Sequence, residues 1–130
     1  MSLNLKLNRI GQIAITVSAP ARAEAFYRDV LGLDYLFGIE GRMSFFDCSG
    51  VRVMLSIPEN PKQHAGRGSI VYFAVDDIDT TFEALTAKEV CVLSVPHVVA
   101  RLPQHELWMC FFEDSEGNTL ALMEERQAPA

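Results

Sequence analysis

Between Pro96 and Met109 the chain carries His97, Arg101, His105, Glu106 and its single tryptophan, Trp108. Polar groups of this kind beside an indole could line a cavity mouth. There they would hold an anionic or aromatic ligand by charge-assisted hydrogen bonds and stacking. The plainer reading of the same residues is a solvated loop whose Trp108 plugs the core. His97 and His105 have no evident third ligand, so a metal built on them is not expected. Cys48, Cys91 and Cys110 are odd in number and not spaced as metal pairs, and they read as reduced, buried thiols. No nucleophile elbow, phosphate-cradling glycine loop or CxxC pair occurs, so no catalytic residue is assigned.

The elements that must position such residues belong to an ordinary globular chain. It has 130 residues, 49% of them hydrophobic and 22% charged, enough for one domain with a real core. A net charge of −6 argues against nucleic acid or an anionic membrane as partner, since both need a basic face. No apolar run approaches the ~18 residues of a membrane span, and no secretory signal is evident. A cytoplasmic location is therefore expected.

Residues 10–17 read as a strand, with Ile13, Ile15 and Val17 on one face and Gln12, Ala14 and Thr16 on the other. Ser18 is the expected N-cap of a helix with Pro20 in its first turn. Ala23, Phe26, Tyr27, Val30 and Leu31 form the buried stripe of that helix, and Gly32 stops it. Three strands follow at about 34–39, 42–47 and 51–57. In the third, Val53 and Leu55 meet the helix while Arg52, Met54 and Ser56 face away. Residues 58–68, with two prolines and two glycines, make a polar linker in which His64 reads as solvated. A strand at 69–75 then leads to a helix capped by Asp76 or Asp77, with Ile78, Phe82 and Leu85 buried. Further strands are expected at 90–95, 108–113 and 118–124. Residues 97–107 read as a short strand and an irregular loop, Glu124 and Glu125 as a solvated strand end, and the residues after Arg126 as disordered.

The pattern occurs twice. Aligning Val17 with Val75 superposes both first strands and both helix starts. Independently, FFDCSGVRVML (from Phe45) matches FFEDSEGNTLALM (from Phe111) when Gly50 is set on Gly117. Two matches divide the chain into one βαβββ unit at about 7–57, the linker, and a second unit at about 69–125.

The stretch AITVS-x-P-x-R-A-E-A-FYRDVLGL, its repeat AVDDIDTTFEAL and the closing D-S-E-G-N-x-L-A-L-M resemble the vicinal oxygen chelate superfamily, which includes glyoxalase I, extradiol dioxygenases and bleomycin resistance proteins. The resemblance implies an α+β fold of two βαβββ modules whose curved mixed sheet encloses a cavity, a single domain over residues 7–125. It also implies four metal-ligand positions on the strand faces turned away from the helices. By the two internal alignments these are Gln12, Met54, Ile70 and Ala121. Only Gln12 offers an oxygen, Met54 offers a soft thioether, and Ile70 and Ala121 offer nothing, whereas a transition metal needs several imidazole or carboxylate ligands. No cofactor is therefore expected.

The expected function is binding of a small molecule in the sheet cavity, of the bleomycin-resistance type and without the family metal. Gln12, Arg52, Met54, Tyr72, His97, Arg101, His105 and Trp108 are the candidate ligand-binding residues. The alternative is a metal-dependent enzyme like lactoylglutathione lyase (glyoxalase I), whose chemistry uses a divalent metal to polarise a hemithioacetal. A regulatory module with no ligand is a third possibility. Exposed sheet edges and an open cavity wall favour a homodimer.

Overall fold

The computed structural model describes residues 5–128. Of the tail expected to be disordered, residues 129–130 lie outside that range, as do residues 1–4. The first module runs β1 (Gln12–Thr16), α1 (Pro20–Ala25) continued by a π-helical turn (Phe26–Val30), then β2 (Asp34–Ile39), β3 (Met43–Cys48) and β4 (Val51–Ser56). The second runs β5 (Val71–Ala74), α2 (Ile78–Ala87), β6 (Cys91–Val92), β7 (His97–Arg101), β8 (His105–Glu113) and β9 (Thr119–Gln127). Each module makes a mixed sheet, ordered β1-β4-β3-β2 in the first and β5-β9-β8-β6 in the second, with β7 also paired to β8. Because β6 and β7 lie on the same side of β8, the second module is βαβββ with its second strand in two pieces.

The strand register reproduces both internal alignments. Ala14 lies opposite Met54, and its repeat partner Tyr72 lies opposite Ala121, each across a parallel β1–β4 or β5–β9 pair. Side-chain parity then buries one face. Ile15, Val17, Phe46, Val53 and Leu55 of the first module join Ile78, Leu85, Phe112, Leu120 and Leu122 of the second in a single core with Tyr27. Truncating a fully buried aromatic such as Phe46 would cost about 3–5 kcal/mol through lost burial and the cavity left behind.

Several local expectations need correction. β1 is shorter than residues 10–17, since Ile10 is exposed and unpaired. Ser18 is not the N-cap of α1. Ala19 occupies that position with no side-chain cap, and Ser18 instead bonds to Glu116 of the second module. Gly32 does sit in the left-handed region (φ +77°) after the π turn. Of Asp76 and Asp77, Asp77 caps α2, accepting from the Thr80 amide at 3.2 Å. The apolar run 90–95 keeps strand geometry over Cys91–Val92 alone, with the Leu93 amide still donating to the Phe111 carbonyl at 2.8 Å. In residues 97–107 the short strand is present as β7, but no irregular loop follows: β7 and the start of β8 form a hairpin with a bulge near Val99. The chain stays ordered past Arg126, with Gln127 paired to His105 and the Ala128 amide donating to the Gln104 carbonyl at 3.0 Å. Glu124 is not a solvated end, because its carboxylate accepts from the Ile78 amide at 2.8 Å. The three cysteines are free thiols, but Cys91 is exposed, Cys48 half-buried and only Cys110 fully buried.

The modules are joined by the β8–β9 turn. The buried Asp114 carboxylate accepts from the Tyr27 hydroxyl (2.6 Å), the Asn118 side-chain amide (2.9 Å) and the amides of Glu116 and Asn118 (both 2.8 Å). Burial first and the Asp114 carboxylate second push the Tyr27 phenol far above its ordinary pKa, so it remains a donor. Glu116 accepts from the Ser18 hydroxyl (2.6 Å), the Ser18 and Ala19 amides (both 3.0 Å) and Arg22 (3.1 Å).

Candidate functional site

The face of the first sheet turned away from α1 is set by strand parity. It carries Gln12, Ala14 and Thr16 on β1, beside Arg52, Met54 and Ser56 on β4. The Gln12 side-chain amide donates to the Met54 sulfur at 3.8 Å, so the repeat-derived pair does meet. Farther along the face, Phe45 stacks on Phe37 with centroids 4.5 Å apart, and the Arg52 guanidinium lies 5.7 Å from the Phe45 centroid.

The matching face of the second sheet is aromatic. Tyr72 and Phe111 both lie opposite Ala121 and meet edge to face at 5.9 Å, which leaves Ala121 fully buried. Ile70, just ahead of β5, is 40% exposed.

β1 and β5 are edge strands of their sheets, and between them opens a cleft of about 420 Å³. Ala14 and Thr16 form one wall, Ile70 and Tyr72 the other, with Ser69 and Thr119 supplying hydroxyls. Its size falls within the ~300–1,000 Å³ range of small-molecule sites. No ionisable carboxylate or amine lines it, so recognition there would rest on shape, hydroxyl hydrogen bonds and the tyrosine ring. Ser69 was missed because it ends a loop-like polar stretch; only its place directly before β5 could have marked it.

Of the candidate residues, Tyr72 lines this cleft, while Gln12, Arg52 and Met54 occupy the adjoining sheet face. The cluster near Trp108 is brought together only in part: the Glu106 carboxylate accepts from Arg101 (3.1 Å) and from the Trp108 indole N–H (3.3 Å), while His97 and His105 fall on the opposite face of the sheet. Trp108 lies on the helix side of its sheet, packed against the core with the Arg126 guanidinium 4.2 Å from its ring. Arg101 pairs with Glu106 at 3.1 Å across the β7–β8 hairpin. Hydrogen bonds to Glu124 first, and then to Asp79, raise the Arg126 pKa. His97 lies opposite Met109, four residues along β8 from His105, which at ~3.4 Å per residue is roughly 14 Å. The Nδ1 of His97 is 2.8 Å from the Val95 carbonyl oxygen. These two histidines cannot share a metal.

The four positions that the resemblance assigns to a metal do not suit a metal ion either. Gln12 supplies one amide oxygen, its nitrogen turned to the Met54 thioether, while Ala121 is sealed under two rings and Ile70 is aliphatic. Among the described residues no three His, Cys, Asp or Glu side chains gather to hold a metal ion. No described helix is long and apolar enough to cross a membrane.

Solved structures share this architecture. A lactoylglutathione lyase from Agrobacterium tumefaciens superposes with a TM-score of 0.73 at 27% identity, over 91% of this chain and 94% of that one. A glyoxalase/bleomycin resistance protein/dioxygenase superfamily member from Sphaerobacter thermophilus gives 0.76 at 22% identity, over 93% and 100%. An integron cassette protein from V. cholerae gives 0.73 at 15% identity, over 94% and 98%. A comparison with curated proteins finds no significant match. The family model for the glyoxalase/bleomycin resistance protein/dioxygenase superfamily matches residues 9–122, which takes in β1 through the start of β9. With its two βαβββ modules and that match across nearly its whole length, the chain belongs to the glyoxalase/bleomycin resistance protein/dioxygenase superfamily.

Proposed function

We propose that this protein binds a small organic molecule at the β1–β5 cleft and the adjoining sheet face, without a transition metal. The observation that carries the reading is the donor set of the family metal positions, where Gln12 alone offers oxygen and Ala121 is closed off by Tyr72 and Phe111. The cleft supports it with an apolar floor and a few hydroxyls, the usual make-up of a ligand site. Gln12, Arg52, Met54 and Tyr72 are the residues assigned to ligand contact. His97, Arg101, His105 and Trp108 are peripheral in this reading, and no residue is assigned a catalytic role.

The working form is a cytoplasmic homodimer. Tyr35, Leu36, Phe37 and Ile39 are 42–51% exposed on the edge strand β2, an apolar surface that a second copy would cover. Light scattering at tens of micromolar should give the mass of two chains; the mass of one would remove the dimer.

The second reading, a metal-dependent enzyme like lactoylglutathione lyase, is favoured by the 27% identity to that protein. An isomerase assay on a glutathione hemithioacetal, with and without added Zn or Ni, separates the two. The binding reading expects no turnover in either arm. Turnover that appears with metal and is abolished by EDTA would establish the lyase.

A further inference from the structure

A second cavity, of about 310 Å³, opens on the helix side of the molecule among Val30, Leu31, Leu85, Phe112 and Leu122, with Lys88 at its edge. Among its lining residues Thr81 bears the one hydroxyl and Lys88 the one charge; the rest are aliphatic or aromatic. An apolar cavity of about 150 Å³ is enough to hold benzene, so this one has room for a longer hydrocarbon.

The charge at its mouth lacks an anionic partner. The Lys88 ammonium lies 3.3 Å from the carbonyl oxygens of Asp29 and Val30, and among the described residues it makes no ion pair. The nearby Asp29 carboxylate is held by the Arg28 guanidinium at 2.9 and 3.1 Å. The wall itself is unusual. Val30 and Leu31 stand where α1 widens into its π-helical turn, the Leu31 amide reaching back to the Phe26 carbonyl at 3.0 Å. Turns of this kind recur where a helix is shaped around a functional site.

We infer that this helix-side cavity is a second ligand site, for a small apolar carboxylate whose hydrocarbon lies on the aliphatic walls and whose anionic head meets Lys88. The site is separate from the β1–β5 cleft and shares no lining residue with it.

Methyl NMR of the full chain, titrated with octanoate and with octanol and octylamine as controls, tests this. Saturable shifts are expected at Val30, Leu85 and Leu122. Octanoate should bind at least roughly fivefold tighter than octanol, as one solvent-accessible charge-assisted hydrogen bond allows. Lys88→Met should erase that preference while keeping octanol binding, Lys88→Arg should retain it, and Ala84→Phe should fill the space and abolish all three responses. Shifts confined to Ile13, Ile15 and Ile70 at the cleft, no shifts at all, or equal affinity for acid, alcohol and amine would overturn the inference.

Discussion

The two helices begin alike on the backbone but are capped from different places. The N-terminus of α2 is served by its own module, through Asp77 and through Glu124 on β9, which takes the Ile78 amide. That of α1 has no side-chain cap of its own and depends on Glu116, in the turn of the other module. Counted from the anchoring glycines, the place of Glu124 is held in the first module by Ile57, which has no acceptor to offer. Two copies of one backbone have thus divided their polar duties. The second module caps both helices, and the first amides of α1 find a carboxylate only across the contact between modules. A carboxylate at a helix N-terminus satisfies orphan amides and opposes the positive end of the helix dipole.

The β-turn aspartates offer the strongest way to break this comparison. Asp114→Ala removes an acceptor of four hydrogen bonds and strands the buried Tyr27 hydroxyl, so a loss of about 3–5 kcal/mol is expected in urea unfolding. Among the described residues its repeat partner Asp47 accepts only the Gly50 amide, at 3.2 Å, and Asp47→Ala should stay within about 0.5 kcal/mol. Equal losses would mean that the second-module turn is no special latch.

The site positions sharpen the same contrast. Ala121→Glu forces a carboxylate under Tyr72 and Phe111 and should cost roughly 2–4 kcal/mol, whereas Met54→Glu, at the half-exposed partner position, should cost about 1 kcal/mol or less. A thermal melt in which the two variants coincide would show that the second-module face is open.

Smaller is the effect of Glu116→Gln, about 1–2 kcal/mol at neutral pH. Burial raises the carboxyl pKa, but the bonds from Ser18, Arg22 and Ala19 outweigh it and hold it below the usual glutamate range. A depressed folded-state pKa gives stability that is complete above the unfolded value of ~4.3 and is lost as the pH falls through the folded value. Denaturation midpoints of the native protein should therefore drop more steeply below pH ~4 than those of Glu116→Gln. Parallel pH profiles would contradict the assigned capping role.

Periodicity made the modules legible. The helical stripe ending in Val30 and Leu31 and the alternation of Val53 and Leu55 with Arg52 and Met54 are local patterns, and the strand register bears out both glycine- and valine-anchored alignments. Glu116 was not legible because its partners lie up to 98 residues away, and a turn glutamate looks solvated in sequence. His105 and Glu106 hid the start of β8, since a strand with polar residues on both faces has no period-two signal. The candidate cluster around Trp108 is split for a related reason, Arg101, Glu106 and Trp108 meeting on one face and His97 and His105 lying on the other. Adjacent positions on a strand point to opposite faces, so residues close in sequence were divided between the two sides of the sheet.

The central claim is that the family metal positions no longer hold a metal. It is tested most directly by elemental analysis of the purified protein, with thermal melts before and after EDTA. A ligand that binds only the native state raises its melting temperature, and removing three of four ligands forfeits most of the binding energy of a transition metal. The expected result is far less than one equivalent of Zn, Ni, Mn or Fe per chain and a melting temperature unchanged by EDTA. Near-equimolar metal, with a melt lowered when it is stripped, would contradict the account.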